Sequence, residues 1–198
     1  ESPMSSTYEV TDSAKPHLPG ESGVWMFIIG DVLIFSLLFS VFVYDRSQEV
    51  ALFIEQQQLL NQTFGLVNTL LLLTSSWLVA LAVHGARTGH LSQARGCFVL
   101  AILGGIGFVV IKYFEWSEKL TADLTIETNN FFMYYYLMTG IHLMHMFIGI
   151  GVLVFLWQCV RDAEFNTQGM GVLESGACFW HLVDILWIAL FALLYLMR

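Results

Sequence analysis

Five stretches of this chain, at about 24–44, 63–85, 95–116, 131–158 and 175–197, are apolar almost without a break. A bilayer-spanning helix needs roughly 20 such residues. The first run is interrupted only by Asp31, and Phe64 to Val83 carries no ionisable group. The fourth holds no Asp, Glu, Lys or Arg but contains His142 and His145, and the fifth carries His181 and Asp184. Strands of a membrane barrel are about ten residues long and alternate in polarity. These runs are twice that length and apolar on every face, so helices, which satisfy their own backbone hydrogen bonds, are the spanning solution. The pattern predicts an all-α integral membrane bundle of five transmembrane helices over residues 23–198, preceded by a polar tail at 1–22. The first apolar run follows that tail and is too long for the h-region of a signal peptide.

Little lies between the runs. The segment from Asp45 to Gln62 carries Glu49, Glu55 and three consecutive glutamines, and is expected to form an interfacial helix. The loops around 85–95, 118–130 and 160–174 leave no room for a soluble domain, so any chemistry belongs in the helices or on a partner. Trp25, Tyr44, Trp116, Tyr134, Tyr135 and Tyr195 fall near span ends and fit an interfacial aromatic belt. Alternating helices put Lys15, Arg87, Arg95 and Arg161 on the N-terminal side, and Arg46, Lys119 and Arg198 on the other. That small excess leans towards a cytoplasmic N-terminus.

Composition agrees with the pattern and narrows the chemistry. Of 198 residues, 57% are hydrophobic and 12% charged, against about a quarter charged in a soluble domain. Mean hydropathy is +0.68. The net charge of −8 repels phosphate and excludes a nucleic-acid partner. Cys97, Cys159 and Cys178 lack CxxC spacing and read as buried thiols. Ala101 and Gly105 form a small-xxx-small pair with Gly104 and Gly107 beside them, and Gly140, Gly149 and Gly151 interrupt span four; close helix packing accounts for all of these.

Lipid does not solvate charge, so an ionisable residue inside a span is a functional candidate by default. Asp31 stands alone in span one. His142 and His145, His181 and Asp184, and Lys112 and Glu115 are pairs three residues apart, each sharing one helix face. Three readings stay open. The pairs are interhelical hydrogen-bonding glue, or a proton or ion path, or a metal site drawn from His142, His145, His181 and an acid such as Asp184 or Glu115. No nucleophile, phosphate cradle or cofactor fingerprint is present.

The order of these landmarks resembles subunit III of the haem-copper respiratory oxidases. Trp25 to Phe35, with Asp31 inside it, is similar to the family's buried carboxylate before an aliphatic-Phe run. Asn68-Thr69-Leu70 resembles its Asn-Thr-Leu element, and Glu115 in Tyr113-Phe114-Glu115-Trp116 the acid closing the following helix. Gly140-Ile141-His142-Leu143-Met144-His145, continuing to Gly149, resembles the Gly-x-His-x-x-His signature. Glu174 with Trp180-His181-Leu182-Val183-Asp184-Ile185-Leu186-Trp187 resembles the closing Trp-His-x-x-Asp-x-x-Trp. Five spans rather than seven are similar to the short bacterial form. Asp31, Lys112 and the ending Leu194-Tyr195-Leu196-Met197-Arg198 lean towards the branch associated with nitric oxide reductase.

The resemblance implies a non-catalytic accessory subunit in the bacterial inner membrane, serving aerobic or denitrifying electron transport. It would bind no haem, copper or iron itself and no metal, those cofactors belonging to a catalytic haem-copper subunit I-like partner that reduces oxygen or nitric oxide. It would bind phospholipid and support assembly and proton-coupled turnover. Carried over, Asp31, Glu115, His142, His145, His181 and Asp184 are the buried polar set, and Asn68, Glu174 and Trp180 lipid or subunit contacts. The rival reading is an independent proton or ion carrier using Asp31, Asp184 and the histidines.

Overall fold

Each apolar run folds as the helix its length demands, and most overrun the lengths expected of them. The computed structural model describes residues 22–162 and 167–197. It places α1 at Ser22–Gln48, α2 at Val50–Gln57, α3 at Gln62–Arg87, α4 at Leu91–Thr121, α5 at Asn130–Arg161 and α6 at Thr167–Phe191, the last running into a π-helical turn, Ala192–Leu196. Five of these helices are long and apolar enough to cross a membrane, with mean hydropathies of 2.0 to 2.5. No strand occurs among the described residues. All but the last residue of the expected N-terminal tail lies outside the described residues.

The overrun has a plain cause. At 1.5 Å per residue, the 31 and 32 residues of α4 and α5 reach well beyond a hydrocarbon core of about 30 Å. Their polar ends therefore stay helical outside the apolar layer. The loop expected at 160–174 is accordingly shorter, because α6 starts at Thr167, and Glu174 lies on that helix rather than before it. Between α3 and α4 only Thr88, Gly89 and His90 remain. Gly89 takes φ +80° there, and the His90 N–H closes the turn on the Gly85 carbonyl at 2.8 Å; glycine adopts that backbone without steric cost.

The interfacial helix expected between spans one and two is α2. Its Phe53 is buried and meets Phe42 and Phe131 edge-on, with ring centroids 5.5 and 5.7 Å apart. At the head of α5, the Asn129 side chain accepts a hydrogen bond from the Phe132 N–H at 3.0 Å. Asn129→Ala is expected to cost about 1 kcal/mol, and Asn129→Ser close to nothing, since both Asn and Ser cap a helix N-terminus. Unfolding in detergent micelles measures the difference.

Helix α6 is the hub. Sixty-one per cent of its most apolar window is buried, against 17 to 33% for the other spans. It packs on α3 and α5 along its length and on α1 more lightly, while α3 and α4 form a tight antiparallel hairpin. Lipid tails are as apolar as leucine, so what joins such helices is close packing and hydrogen bonding. Trp180 of α6 supplies the packing. A methyl added to Gly105 of α4 would lie 2.9 Å from its ring, and one added to Gly149 of α5 would lie 2.9 Å from the same ring. The indole thus fills the space that these two glycines leave.

Three residues of the expected aromatic belt belong to the interior. Tyr134, Tyr135 and Tyr195 are buried, because each hydroxyl has an intramembrane partner. Tyr134 hydrogen-bonds Asp45, and Tyr135 and Tyr195 meet Lys112.

Candidate functional site

The polar residues inside the spans gather into three groups, each tying helices together. The first lies between α4 and the end of α6. Lys112 and Glu115 face the same side of α4 and form an ion pair of 2.8 Å, with side-chain exposures of 1% and 0%. The Lys112 ammonium also donates to the Tyr195 hydroxyl at 2.9 Å, and the Tyr195 hydroxyl donates in turn to Glu115. Tyr135 of α5 stands at 3.5 Å. The rings of Tyr135, Trp187 and Tyr195 surround the ammonium, their centroids 4.9 to 5.5 Å from Nζ, a range at which an aromatic face attracts a cation. Gly65 of α3 gives this end of α6 its close approach, since a methyl there would meet the Phe191 ring at 2.8 Å.

The second group joins α1 to α5. His145 Nε2 lies 3.0 Å from Asp31 Oδ1, and His145 Nδ1 donates to the Ile141 carbonyl at 2.8 Å. A carbonyl only accepts, so Nδ1 carries a proton, and a second proton sits between Nε2 and the carboxyl group. Asp31 and His145 are both buried. Asp31 Oδ2 has no hydrogen-bond partner among the described residues.

The third group joins α3 to α6 near mid-membrane. The Ser76 hydroxyl is 2.5 Å from His181 Nδ1. Asp184 is buried, while His181 remains partly open to the outside. The Thr69 hydroxyl accepts from Trp187 Nε1 at 3.0 Å and itself donates to the Gly65 carbonyl at 2.8 Å, a second polar tie between the same helices.

His142 belongs to none of these. It is fully buried with its ring 5.5 Å from Phe108 and 5.3 Å from Trp187, and neither nitrogen has a hydrogen-bond partner among the described residues. The three intramembrane histidines therefore occupy three different surroundings. The metal site weighed from His142, His145, His181 and an acid does not assemble: among the described residues, no three His, Cys, Asp or Glu side chains converge as a metal requires.

Asn68 and Trp180, expected at lipid or subunit contacts, lie instead in the interior, with exposures of 0% and 1%. Trp180 is there because two glycines make room for it, and Asn68 because its face of α3 turns into the bundle. Glu174 is bridged to Arg87 at 2.6 Å. At the same end, Arg95 caps α5 by donating to the Val160 and Arg161 carbonyls at 3.3 and 3.1 Å. At the opposite end Arg46 donates to the Met197 carbonyl at 2.8 Å. Arg87, Arg95 and Arg161 thus share one side of the bundle, as alternating spans require.

Sequence reasoning passed over Ser76, Thr69, Tyr135, Tyr195 and Trp187 as partners. Hydroxyls and indoles are common in spans, and nothing in the spacing marks which face meets a charge. A signal was available: Ser76 shares the helix face of Thr69, and Tyr195 follows Trp187 by eight residues, so each lies on a stripe that also carries a polar contact.

One family model matches nearly the whole chain. A family model described as cytochrome c oxidase subunit III covers residues 6–198. The chain belongs to the cytochrome c oxidase subunit III family. Among proteins similar to it, the heme-copper oxidase subunit I+III of Aeropyrum pernix is 30% identical over 187 residues, which is 88% of this chain but 22% of that longer protein. The cytochrome c oxidase subunit 3 of Thermostichus vulcanus is 28% identical over 185 residues, covering 88% of this chain and 86% of the relative. The quinol oxidase subunit 3 of Bacillus subtilis is 26% identical over 175 residues, with 88% and 85% covered. These relatives are oxidase subunits and lend no support to the lean towards a nitric-oxide-reductase-associated branch. Two of the features behind that lean have a local explanation. Lys112 and the Tyr195 of the closing residues are partners in one buried cluster.

Proposed function

We propose that this subunit III homologue is a non-catalytic accessory subunit of a haem-copper oxidase, held in a bacterial inner membrane with its N-terminus on the cytoplasmic side. It docks on a subunit I-like partner that bears the haem and copper and reduces oxygen. The observation that carries the reading is the arrangement of its intramembrane polar groups: Asp31 with His145, Lys112 with Glu115, and Ser76 with His181 each join two elements or close a charge, and none is left aimed at a shared reacting centre. The fused subunit I+III relative supports the choice of partner, since in that protein the two parts share one chain.

In this reading Asp31, His145, Glu115, His142, His181 and Asp184 keep the helices in register at the partner's flank and support its proton-coupled turnover, and phospholipid fills the remaining flank of α1. Purifying the tagged chain in mild detergent is expected to bring down a haem-bearing subunit. If the chain emerges alone, and reconstituted vesicles holding only this chain conduct protons in a manner lost in Asp31→Asn, the ion-carrier reading replaces this one. Within the complex, Asp31→Ala leaves His145 Nε2 unpartnered, a cost of about 1–3 kcal/mol for a buried polar group. Its expected outcome is a weaker hold on α1, seen as faster protease cleavage at the α1–α2 junction and earlier loss of turnover, with the partner's haem spectrum unchanged. A lost haem signal at normal assembly would contradict the accessory role.

A further inference from the structure

Of the acidic, basic and histidine side chains in the middle of the described spans, His181 alone is not buried. It lies on an open strip of α6 formed by His181, Ile185, Ile188 and Ala192, spaced i, i+4, i+7 and i+11 and therefore on one face. Ile185 and Ile188 are 62% and 39% exposed. α3 packs beside α6, and its Leu73 and Trp77, within one turn of the Ser76 that meets His181, are exposed. On α6 itself the strip is apolar but for His181. His181 Nδ1 is engaged by Ser76, and no hydrogen bond to its Nε2 is made within the described residues.

Lipid chains cannot supply that bond, and a polar group left facing them at this depth is costly. The Ser76 hydroxyl engages Nδ1, so Nε2 is the ring nitrogen still open to a partner. We infer that this strip of α6, bordered by Leu73 and Trp77, is the docking face for a transmembrane helix of the haem-bearing partner, and that the helix presents a hydrogen-bonding side chain to His181 Nε2 at mid-membrane. The inference rests on the accessory-subunit reading and adds to it the face and the chemistry of contact.

The test uses the whole complex in its membrane. A photo-crosslinking side chain at Trp77 or Ile185 is expected to give an adduct with the haem-bearing subunit. The same side chain at Leu103 on α4 or Phe147 on α5, both exposed, is expected to give none. An adduct from Leu103 or Phe147 alone places the contact elsewhere and overturns the inference while the accessory reading stands. Adducts at Trp77 and Ile185 with lipid only, or with a second copy of this chain, also overturn it. Failure of the unaltered chain to recover any haem-bearing subunit overturns the accessory reading and the inference together. In parallel, His181→Leu is expected to lower the haem recovered per tagged chain about tenfold, the scale of one interhelical hydrogen bond in a membrane. His181→Gln, which keeps a hydrogen-bonding group, is expected to stay within about twofold of the unaltered chain on the same scale. Equal recovery from His181→Leu and the unaltered chain would remove the assigned hydrogen bond. Ser76→Ala removes the same α3–α6 hydrogen bond while leaving Nε2 in place, so haem recovery with Ser76→Ala close to that of the unaltered chain separates loss of docking from loss of fold, and a loss equal to that of His181→Leu would remove the assigned hydrogen bond.

Discussion

Replacing Lys112 with Met is expected to cost this bundle about 3–5 kcal/mol, the range seen when one partner of a buried ion pair is removed. The magnitude follows from what is left behind. Glu115 has no exposure, so its carboxylate would keep the Tyr195 hydroxyl as a partner and lose its cation. It must then ionise in an apolar surround or take up a proton. The ammonium also holds three rings around itself, so its removal loosens the end of α6 against α4 and α5. The double variant Lys112→Met, Glu115→Leu is expected to recover most of the loss, because a buried pair replaced by apolar groups of similar volume is often neutral. Tyr195→Phe removes two hydrogen bonds to charged groups, one from Lys112 and one to Glu115, and should cost at least about 1.5–3 kcal/mol. Chemical unfolding in mixed micelles orders the four proteins. A Lys112→Met variant as stable as the unaltered chain would show that the pair does not hold these helices.

The second large effect belongs to Trp180. Trp180→Ala in a soluble core costs about 3–5 kcal/mol through lost transfer energy and a residual cavity. Within a bilayer the transfer part is small, since lipid is itself apolar, but the cavity part persists. Gly105 and Gly149, which flank the ring, have no side chains with which to close the gap. About 3 kcal/mol is therefore expected to remain. Refilling from the other side, with Gly149→Leu in the Trp180→Ala background, should restore part of it. Gly149→Leu alone should instead destabilise by about 1–3 kcal/mol, as overpacking does, because its first carbon already meets the indole at 2.9 Å. Opposite signs for the same substitution in the two backgrounds are the signature of direct contact.

The fold was legible because uninterrupted apolar length is a signal that tertiary context rarely overrides. Five runs became five long helices, and the polar segment after the first became α2. The ends were less legible: Ser92, Gln93 and Glu118 read as loop, yet α4 remains helical through them. The site was visible as residues and not as partners. Spacing placed Lys112 beside Glu115 correctly because both lie on one helix, where three residues always bring side chains together. It also grouped His142 with His145, which share a helix surface but face different neighbours, Trp187 and Phe108 for one and Asp31 for the other. Contacts between helices depend on rotation about each axis, and no local pattern encodes that angle. The shared interior of Trp180, Gly105 and Gly149 was hidden for the same reason: each was noted in its own run, but nothing in the runs brought the three together.

The intrahelical geometry of the Lys112–Glu115 pair bears on how this protein enters the membrane. Chains are threaded into the bilayer in order, so α4 enters the membrane ahead of α5 and the end of α6, which carry Tyr135 and Tyr195. A lone charge opposes insertion by about 2.5–3.5 kcal/mol at the centre of a span, and by less towards its end, where these two lie. Because lysine and glutamate sit three residues apart on the same helix, α4 carries its counter-ion with it and needs no later segment to become insertable. The tyrosines arrive afterwards and close over a pair that is already neutral.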